Sequence, residues 1–472
     1  MSEKKHYHPI AILMAVVKQI RSWLFLVVII LFQGNIYGIF GLLIGSLLGM
    51  VLILIIYHNQ YYQLTPDHLV VSSGVINKKE TMIPYERIQT IKEEQWFFFK
   101  PFGVVRLAIE TAGGVSGEAE AVLSAVPKTV LTQIEAHQQE QHFAEEYQRL
   151  YEVSNGQIVL FSLTNSSIFA GIFAIVAIIE QGFLDKWEEK IWDLVAQIFS
   201  SGWFIISLII ASGFTFFSVI AIIRNFIRYH RFRVTRHKDI LTIESGLFER
   251  KVQKIPIGKI QGLKIHQALL RKLFGLASVE VLLAGGQEME EELSELFILP
   301  IIQEQQIIPV LDFLLPEWTL TKLDIQYTSR KKLWYFFRIP VLVLSPLIFI
   351  SVFFSPLLSL ILGVILLVLV GLAFIMGYFQ GYWIQEKQIC FQNYRVFTKI
   401  QTIIHSSKVQ AFSQKTSKWL YNKKTGHVTL HFKVGAIGSS MSLKFIPCSH
   451  IESLYTIFKK EISLTSLSKK NS

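Results

Sequence analysis

One stretch of this chain, Tyr62 to Gly114, is written twice. Gly74 returns as Gly246, Ile83-Pro84 as Ile255-Pro256 and Ile88-Gln89 as Ile260-Gln261, each 172 residues later. The same offset carries Lys92 to Lys264, Phe102-Gly103 to Phe274-Gly275 and Ala112-Gly113-Gly114 to Ala284-Gly285-Gly286. A register held without a gap from Gly74 to Gly114 marks an internal repeat, not chance. A fainter third copy begins near Gly381, where Lys408-Val409-Gln410 stands in the place of Arg87-Ile88-Gln89 and Lys259-Ile260-Gln261. Every copy follows directly on a long apolar stretch. The pattern therefore predicts three related β-rich domains, each hung from a membrane.

Composition agrees with a membrane setting. Of 472 residues, 51% are hydrophobic and 17% charged, too apolar for a water-soluble chain. The net charge of +11 is read as the cytoplasmic rim of a membrane and not as a nucleic-acid surface, because Lys and Arg crowd beside the apolar spans. The two cysteines, Cys390 and Cys448, read as free thiols and show no metal-ligand spacing. The polar start, Met1 to Pro9, lacks a small-residue cleavage site, so no removable signal peptide is expected.

Taken in order, residues 1–57 are expected to hold an interfacial amphipathic helix (10–22) and a first transmembrane pair turning at Gln33-Gly34-Asn35. Gly41, Gly45 and Gly49 place a small residue at every fourth position, a helix-packing stripe. Tyr57, Tyr61 and Tyr62 are expected in the headgroup layer. The first β domain covers 58–150, with strands over Gln63–Val71, Val75–Ile83 and Ala119–Leu123 and a helix opened by Pro127 and running to about Arg149. A second pair lies in 158–225 around an acidic loop, 182–202, and is followed by Arg224, Arg228, Arg231, Arg233, Arg236 and Lys238. That asymmetry places the loop outside and the arginines inside. The second β domain is 226–318, closing through Phe297–Leu299, Pro300 and a helix to about Leu315; the third pair is 330–379 and the third β domain 380–465. Arg338 is expected to snorkel from the inner end of its span.

No constellation points to catalysis. The Ala-Gly-Gly ends lack the lysine and helix of a phosphate loop, and the histidines, His427 and His431 included, are scattered. No cofactor and no enzymatic activity are expected. The informative element is Ile-Pro followed by Arg/Lys-Ile-Gln. Read structurally, it is a strand start with its apolar residues in the core. Read functionally, Arg87, Gln89 and Lys92, with Lys259, Gln261 and Lys264 and then Lys408 and Gln410, form a basic-amide stripe for lipid headgroups or a partner. An extended segment would set Arg87 and Gln89 on one face. Lys78, Lys79, Arg250 and Lys251 are further candidates at exposed turns, each worth ~1 kcal/mol near an anionic surface. Trp96-Phe97-Phe98-Phe99 is too greasy for a small domain to bury and is expected at the interface or against a neighbouring copy.

Leu64-Thr65, Gly74, Ile83-Pro84, Arg87-Ile88-Gln89, Phe102-Gly103 and Thr111 to Gly114 resemble the bacterial pleckstrin-homology-like family, also called the membrane-flanked domain. The third copy departs from the pattern, with Lys423-Lys424 at the Phe-Gly turn and His405 at the proline. The apolar runs and their basic flanks predict six transmembrane helices in three hairpins, with the β domains on the cytoplasmic side. The resemblance implies a membrane protein of α+β class in which each hairpin is followed by a PH-like domain of two antiparallel sheets and a C-terminal helix. The basic residues point to membrane lipids as partners. The resemblance implies a smaller homologous membrane protein, or self-association, and a role in resistance to membrane-active peptides such as bacteriocins. Both termini would be cytoplasmic. Lipid or peptide export through the spans stays open as the alternative, although the spans lack intramembrane acids.

Overall fold

The structure, a computed structural model, describes residues 4–33, 36–75, 77–111, 120–137, 149–164, 203–283, 296–320, 323–328, 332–385, 387–395, 397–434, 438–456 and 458–459. The loops at 112–114 and 284–286, the acidic loop 182–202 and the turn at Gly34-Asn35 lie outside them.

Each repeat supplies four strands to one antiparallel sheet and three to another. Repeat 1 comprises β1 (Lys5–His6), β2 (Tyr61–Leu64), β3 (His68–Ser73) and β4 (Lys79–Pro84), then β5 (Ile88–Trp96), β6 (Val104–Thr111) and β7 (Ala121–Pro127). Repeat 2 comprises β8 (Arg149–Glu152), β9 (Arg233–His237), β10 (Ile240–Ser245) and β11 (Glu249–Pro256), then β12 (Ile260–Gln267), β13 (Leu276–Leu283) and β14 (Phe297–Gln303). Repeat 3 comprises β15 (Gln326–Tyr327), β16 (Gly381–Gln385), β17 (Gln388–Arg395) and β18 (Thr398–His405), then β19 (Val409–Lys415), β20 (Thr425–Phe432) and β21 (Ser439–Pro447).

In each repeat the apolar segment falls between the first and second strands. In repeat 1 it is α1 (Ile10–Gln33) and α2 (Ile36–His58), while α3 (Lys128–His137) closes the β domain. In repeat 2, α4 (Asn155–Leu163) and α5 (Trp203–Tyr229) lie between β8 and β9, and α6 (Leu269–Leu273) and α7 (Ile307–Leu314) follow. In repeat 3 it is α8 (Trp334–Val352) and α9 (Pro356–Tyr378), followed by α10 (Lys418–Asn422) and α11 (448–456). The β domain of repeat 1 thus begins before its hairpin: Lys5 and His6 pair with Tyr62 and Tyr61. Arg149, expected at a helix end, instead opens β8, and Pro127 ends β7 instead of entering the helix.

Three described helices are long and apolar enough to cross a membrane: Tyr37–His58, Trp334–Val352 and Pro356–Tyr378. Six spans were expected, and the first of the second pair lies mostly in 165–202, outside the described residues. The expected break after residue 22 is absent, because no glycine or proline interrupts α1 between Ile10 and Gln33.

Strand pairing does not stop at repeat boundaries. The strand orders are β1-β2-β3-β4, then β7-β6-β5-β11-β10-β9-β8, then β14-β13-β12-β18-β17-β16-β15, and finally β19-β20-β21. One compact unit joins repeat 1 to β8–β11, and the other joins β12–β14 to repeat 3. The segment 226–318, expected as one domain, is divided between them. In the first unit, Tyr62, Leu69, Val71 and Ile83 of one sheet pack against Ile91, Val105, Leu107 and Leu123 of the other, with Ile134 of α3 closing the core. In the second, Ile389, Phe391 and Ile404 meet Val428, Leu430, Phe432 and Leu443, closed by Ile451 and Leu454 of α11.

Tyr62 belongs to this core and not to a headgroup layer, being 2% exposed and stacked on buried Tyr7. Tyr57 donates a hydrogen bond to the Tyr7 carbonyl at 3.0 Å, and Tyr61 bonds Glu80. These rings fix the end of α2 to the β domain.

Candidate interaction surface

The recurring Ile-Pro…Ile-Gln element has the same backbone form three times. A single 3-10 turn covers Tyr85–Arg87, Ile257–Lys259 and Ser406–Lys408, so this segment is not the extended strand that would align Arg87 with Gln89. The residue two places later is an extra one in the ladder. Ile88 pairs with Thr111 and Thr90 with Glu110, leaving Gln89 as a β-bulge. Gln261 occupies the same place between paired Ile260 and Gly262, and Gln410 between paired Val409 and Ala411. Gln261 is buried and donates to the Lys259 carbonyl at 3.3 Å, whereas Gln410 is exposed.

The basic residues sort into different environments. Lys92 is half-buried and paired with Glu110 at 2.8 Å; Lys264 is paired with Glu280 at 3.4 Å, which His266 also contacts at 2.6 Å. These two lysines neutralise carboxylates within the sheets. Arg250 is 2.9 Å from Glu244, and Lys251 is 3.8 Å from Glu94 and 3.6 Å from Glu249. Lys408 reaches the Gly258 carbonyl at 3.4 Å, and Lys259 is half-buried at the end of its turn. Lys78, Lys79 and Arg87 are exposed.

Arg250 and Lys251 lie on a seam between repeats. There, Lys92 to Trp96 of β5 pair with Gln253 to Glu249 of β11. A second seam pairs Gly262 to Gln267 of β12 with Ile404 to Lys399 of β18. The two share one register: Lys92 faces Gln253, and the equivalent Lys264 faces Thr402. Each seam carries an acid that meets a cation of the next repeat, Glu94 with Lys251 and Glu304 with Lys399 at 3.4 Å. Burial alone would raise the Glu94 carboxyl, but Arg106 and Lys251 outweigh it and hold the group below the ordinary carboxylate value. For Glu304 burial is likewise overridden, by the Gln267 hydrogen bond and by Lys399.

The aromatic run serves the same junction. Phe99 is fully buried with Val104 and Ala125, against which Ile10, Ala11 and Met14 of α1 pack, together with Trp96 and Phe98. Phe97, 56% exposed, meets Phe248 of repeat 2 edge-on at 6.0 Å between ring centres.

Arg338 does not extend alone. Its guanidinium lies over Trp419 of α10 at 4.4 Å and near Tyr335 and Phe445, a cation–π contact that ties α8 to α10 and β21 of repeat 3. A Cβ at Gly45 would stand 2.7 Å from Trp23 of α1, and one at Gly49 1.7 Å from the Gln19 amide, whereas Gly41 has open space. The exposure of Lys78, Lys79 and Arg87 is legible from turn position. The seams are not, because they pair strands far apart in sequence.

Comparison with known proteins fits this architecture. The chain is 27% identical over 388 residues, 75% of its length and 78% of the relative's, to "UPF0699 transmembrane protein YdbT" of Bacillus subtilis (strain 168). No solved structure matches. The profile of the family described as Bacterial PH domain matches three times, at residues 10–142, 169–309 and 337–462, one match per repeat. The chain therefore belongs to the bacterial PH domain family, as a membrane protein with three copies of the domain.

Proposed function

We propose that this protein is a non-enzymatic scaffold at the inner face of the bacterial plasma membrane, contributing to defence against membrane-active peptides such as bacteriocins. Its PH-like repeats bind protein through their sheet edges and lipid through exposed cations. The observation that carries the reading is the pair of seams, in which the edge of one repeat is completed by a strand of the next. Main-chain pairing of this kind is a general mode of protein recognition. The cations Lys78 and Arg87 on repeat 1, and the arginine run that begins in the last turns of α5 and continues past it, supply basic residues suited to anionic headgroups. The partners of this reading are lipids of the inner leaflet and a smaller homologous membrane protein, or self-association.

Two experiments test it. A Lys78→Cys chain in intact cells should resist a membrane-impermeant thiol reagent and react once the cells are opened; labelling from outside overturns the placement. Deletion of the gene should raise sensitivity to at least one of a panel of cationic bacteriocins, and an unchanged panel removes the defence role.

A further inference from the structure

Both seams consume the same two edges. At each, the last strand of one four-stranded set (β11 or β18) pairs with the bulged first strand of the preceding three-stranded set (β5 or β12). Repeat 1 has the equivalent of β11 and β18 in β4, and repeat 3 has the equivalent of β5 and β12 in β19. Among the described residues both lie at sheet edges with no strand on their outer side. The register of the seams, carried to these edges, sets Thr81 opposite the position of Lys92 and Lys79 opposite that of Glu94.

Lys79 is the counterpart of Lys251, which meets Glu94 across the first seam. It is exposed, as are its neighbours Lys78 and Glu80. The chain's own β19 places Lys415 at the position of Glu94. Two lysines directly opposite across a strand pair repel, so this register disfavours a second copy.

We infer that the β4 edge is a docking edge for an extended strand of a different protein. That strand adds to β4 in the seam register, with a carboxylate facing Lys79 and a neutral or cationic residue facing Glu80. Lysines commonly guard free edges against indiscriminate pairing, and here they also set which strand is accepted. The inference rests on the scaffold reading for the existence of a partner, but its test needs neither the topology nor the bacteriocin phenotype.

The test uses the full-length Thr81→Cys chain in detergent with peptides of residues 408–416. One peptide carries Ser413→Cys alone and another Ser413→Cys with Lys415→Glu. Directly opposed residues of an antiparallel pair are within disulfide range, so adducts at position 81 report the register. The Lys415→Glu peptide should form about fivefold more adduct than the other, and Lys79→Glu in the chain should reverse the preference. Equal yields, no adducts, or equal reaction of a Lys415→Glu peptide with its cysteine moved to Phe412 overturns the proposal. Disulfide-linked multimers of a Thr81→Cys, Ser413→Cys chain, formed as readily as the acidic adduct, assign the edge to a second copy and overturn it too.

Discussion

Glu94 of repeat 1 stands directly opposite Lys251 of repeat 2, 3.8 Å from its ammonium, while Arg106 of its own repeat, on the strand to the other side, holds the same carboxylate. One acid thus serves a sheet within a repeat and the seam that joins it to the next. Lys251 is half exposed, so the cross-seam part of this interaction is modest. A double-mutant cycle on Glu94→Gln and Lys251→Gln should give a coupling of about 0.5 kcal/mol by thermal unfolding in detergent. The single Glu94→Gln change should cost more than Lys251→Gln, because it also strands Arg106.

The seams should weaken in acid. Glu94 and Glu304, which meet cations of the next repeat, each sit below the ordinary value of 4.5 despite burial. Their contribution is therefore complete above that value and is lost as pH falls through their lower folded-state values. Limited proteolysis at descending pH should show cuts near β5 and β11, or β12 and β18, that are absent above pH 4.5 and appear only below it. In Glu94→Gln the first seam should lose part of this pH dependence.

The Phe-Gly turn of repeats 1 and 2 survives in repeat 3 without its glycine. Gly103 and Gly275 have φ of 62° and 63°, and their carbonyls accept from Lys128 and Glu304. Lys424 has φ 48° and accepts from Cys448 at 3.0 Å, the same turn with a side chain in left-handed backbone. Lys424→Gly should therefore stabilise the protein by about 1 kcal/mol, and Gly103→Ala should destabilise it by about as much. Thermal midpoints in detergent check both signs.

The bulge glutamine separates a backbone role from a surface role. Gln410→Ala should change stability by under about 0.5 kcal/mol, because the side chain is exposed. Deleting Gln410 removes the extra residue and leaves Val409 and Ala411 adjacent opposite Phe432 and His431. The bend that leads from the Ser406–Lys408 turn into β19 is then lost, and stability should fall by roughly 1–3 kcal/mol. Protease resistance of the two variants distinguishes these outcomes.

In the first hairpin, Gly45→Ala should destabilise by about 1–2 kcal/mol, because the added carbon meets the Trp23 ring. Gly41→Ala should be neutral, and Gly49→Ala mild because the Gln19 amide can swing aside. Relative thermal stability of the three variants in one detergent tests the order.

Much of this architecture is legible in the sequence. The 172-residue offset reveals the repeat, Gly74 marks a turn that its φ of 102° requires, and the apolar runs locate the hairpins. The first strands β1 and β15 are not legible, being two residues long with an apolar segment intervening before their partners. Gln89, Gln261 and Gln410 announce themselves by recurrence, yet a bulge depends on the partner strand, which composition does not reveal. The seams escape for a similar reason. Lys251 looks like a surface cation until β5 of another repeat brings Glu94 against it.

The central claim is that neighbouring PH-like repeats share continuous sheets in one fixed register. Gln95 and Arg250 are directly opposed across the first seam. A Gln95→Cys, Arg250→Cys chain, oxidised in native membranes, should form an intramolecular disulfide rapidly, and a Gln95→Cys, Lys251→Cys chain should lag well behind. Equal rates for the two chains, or no intramolecular bond in either, would contradict the shared sheet.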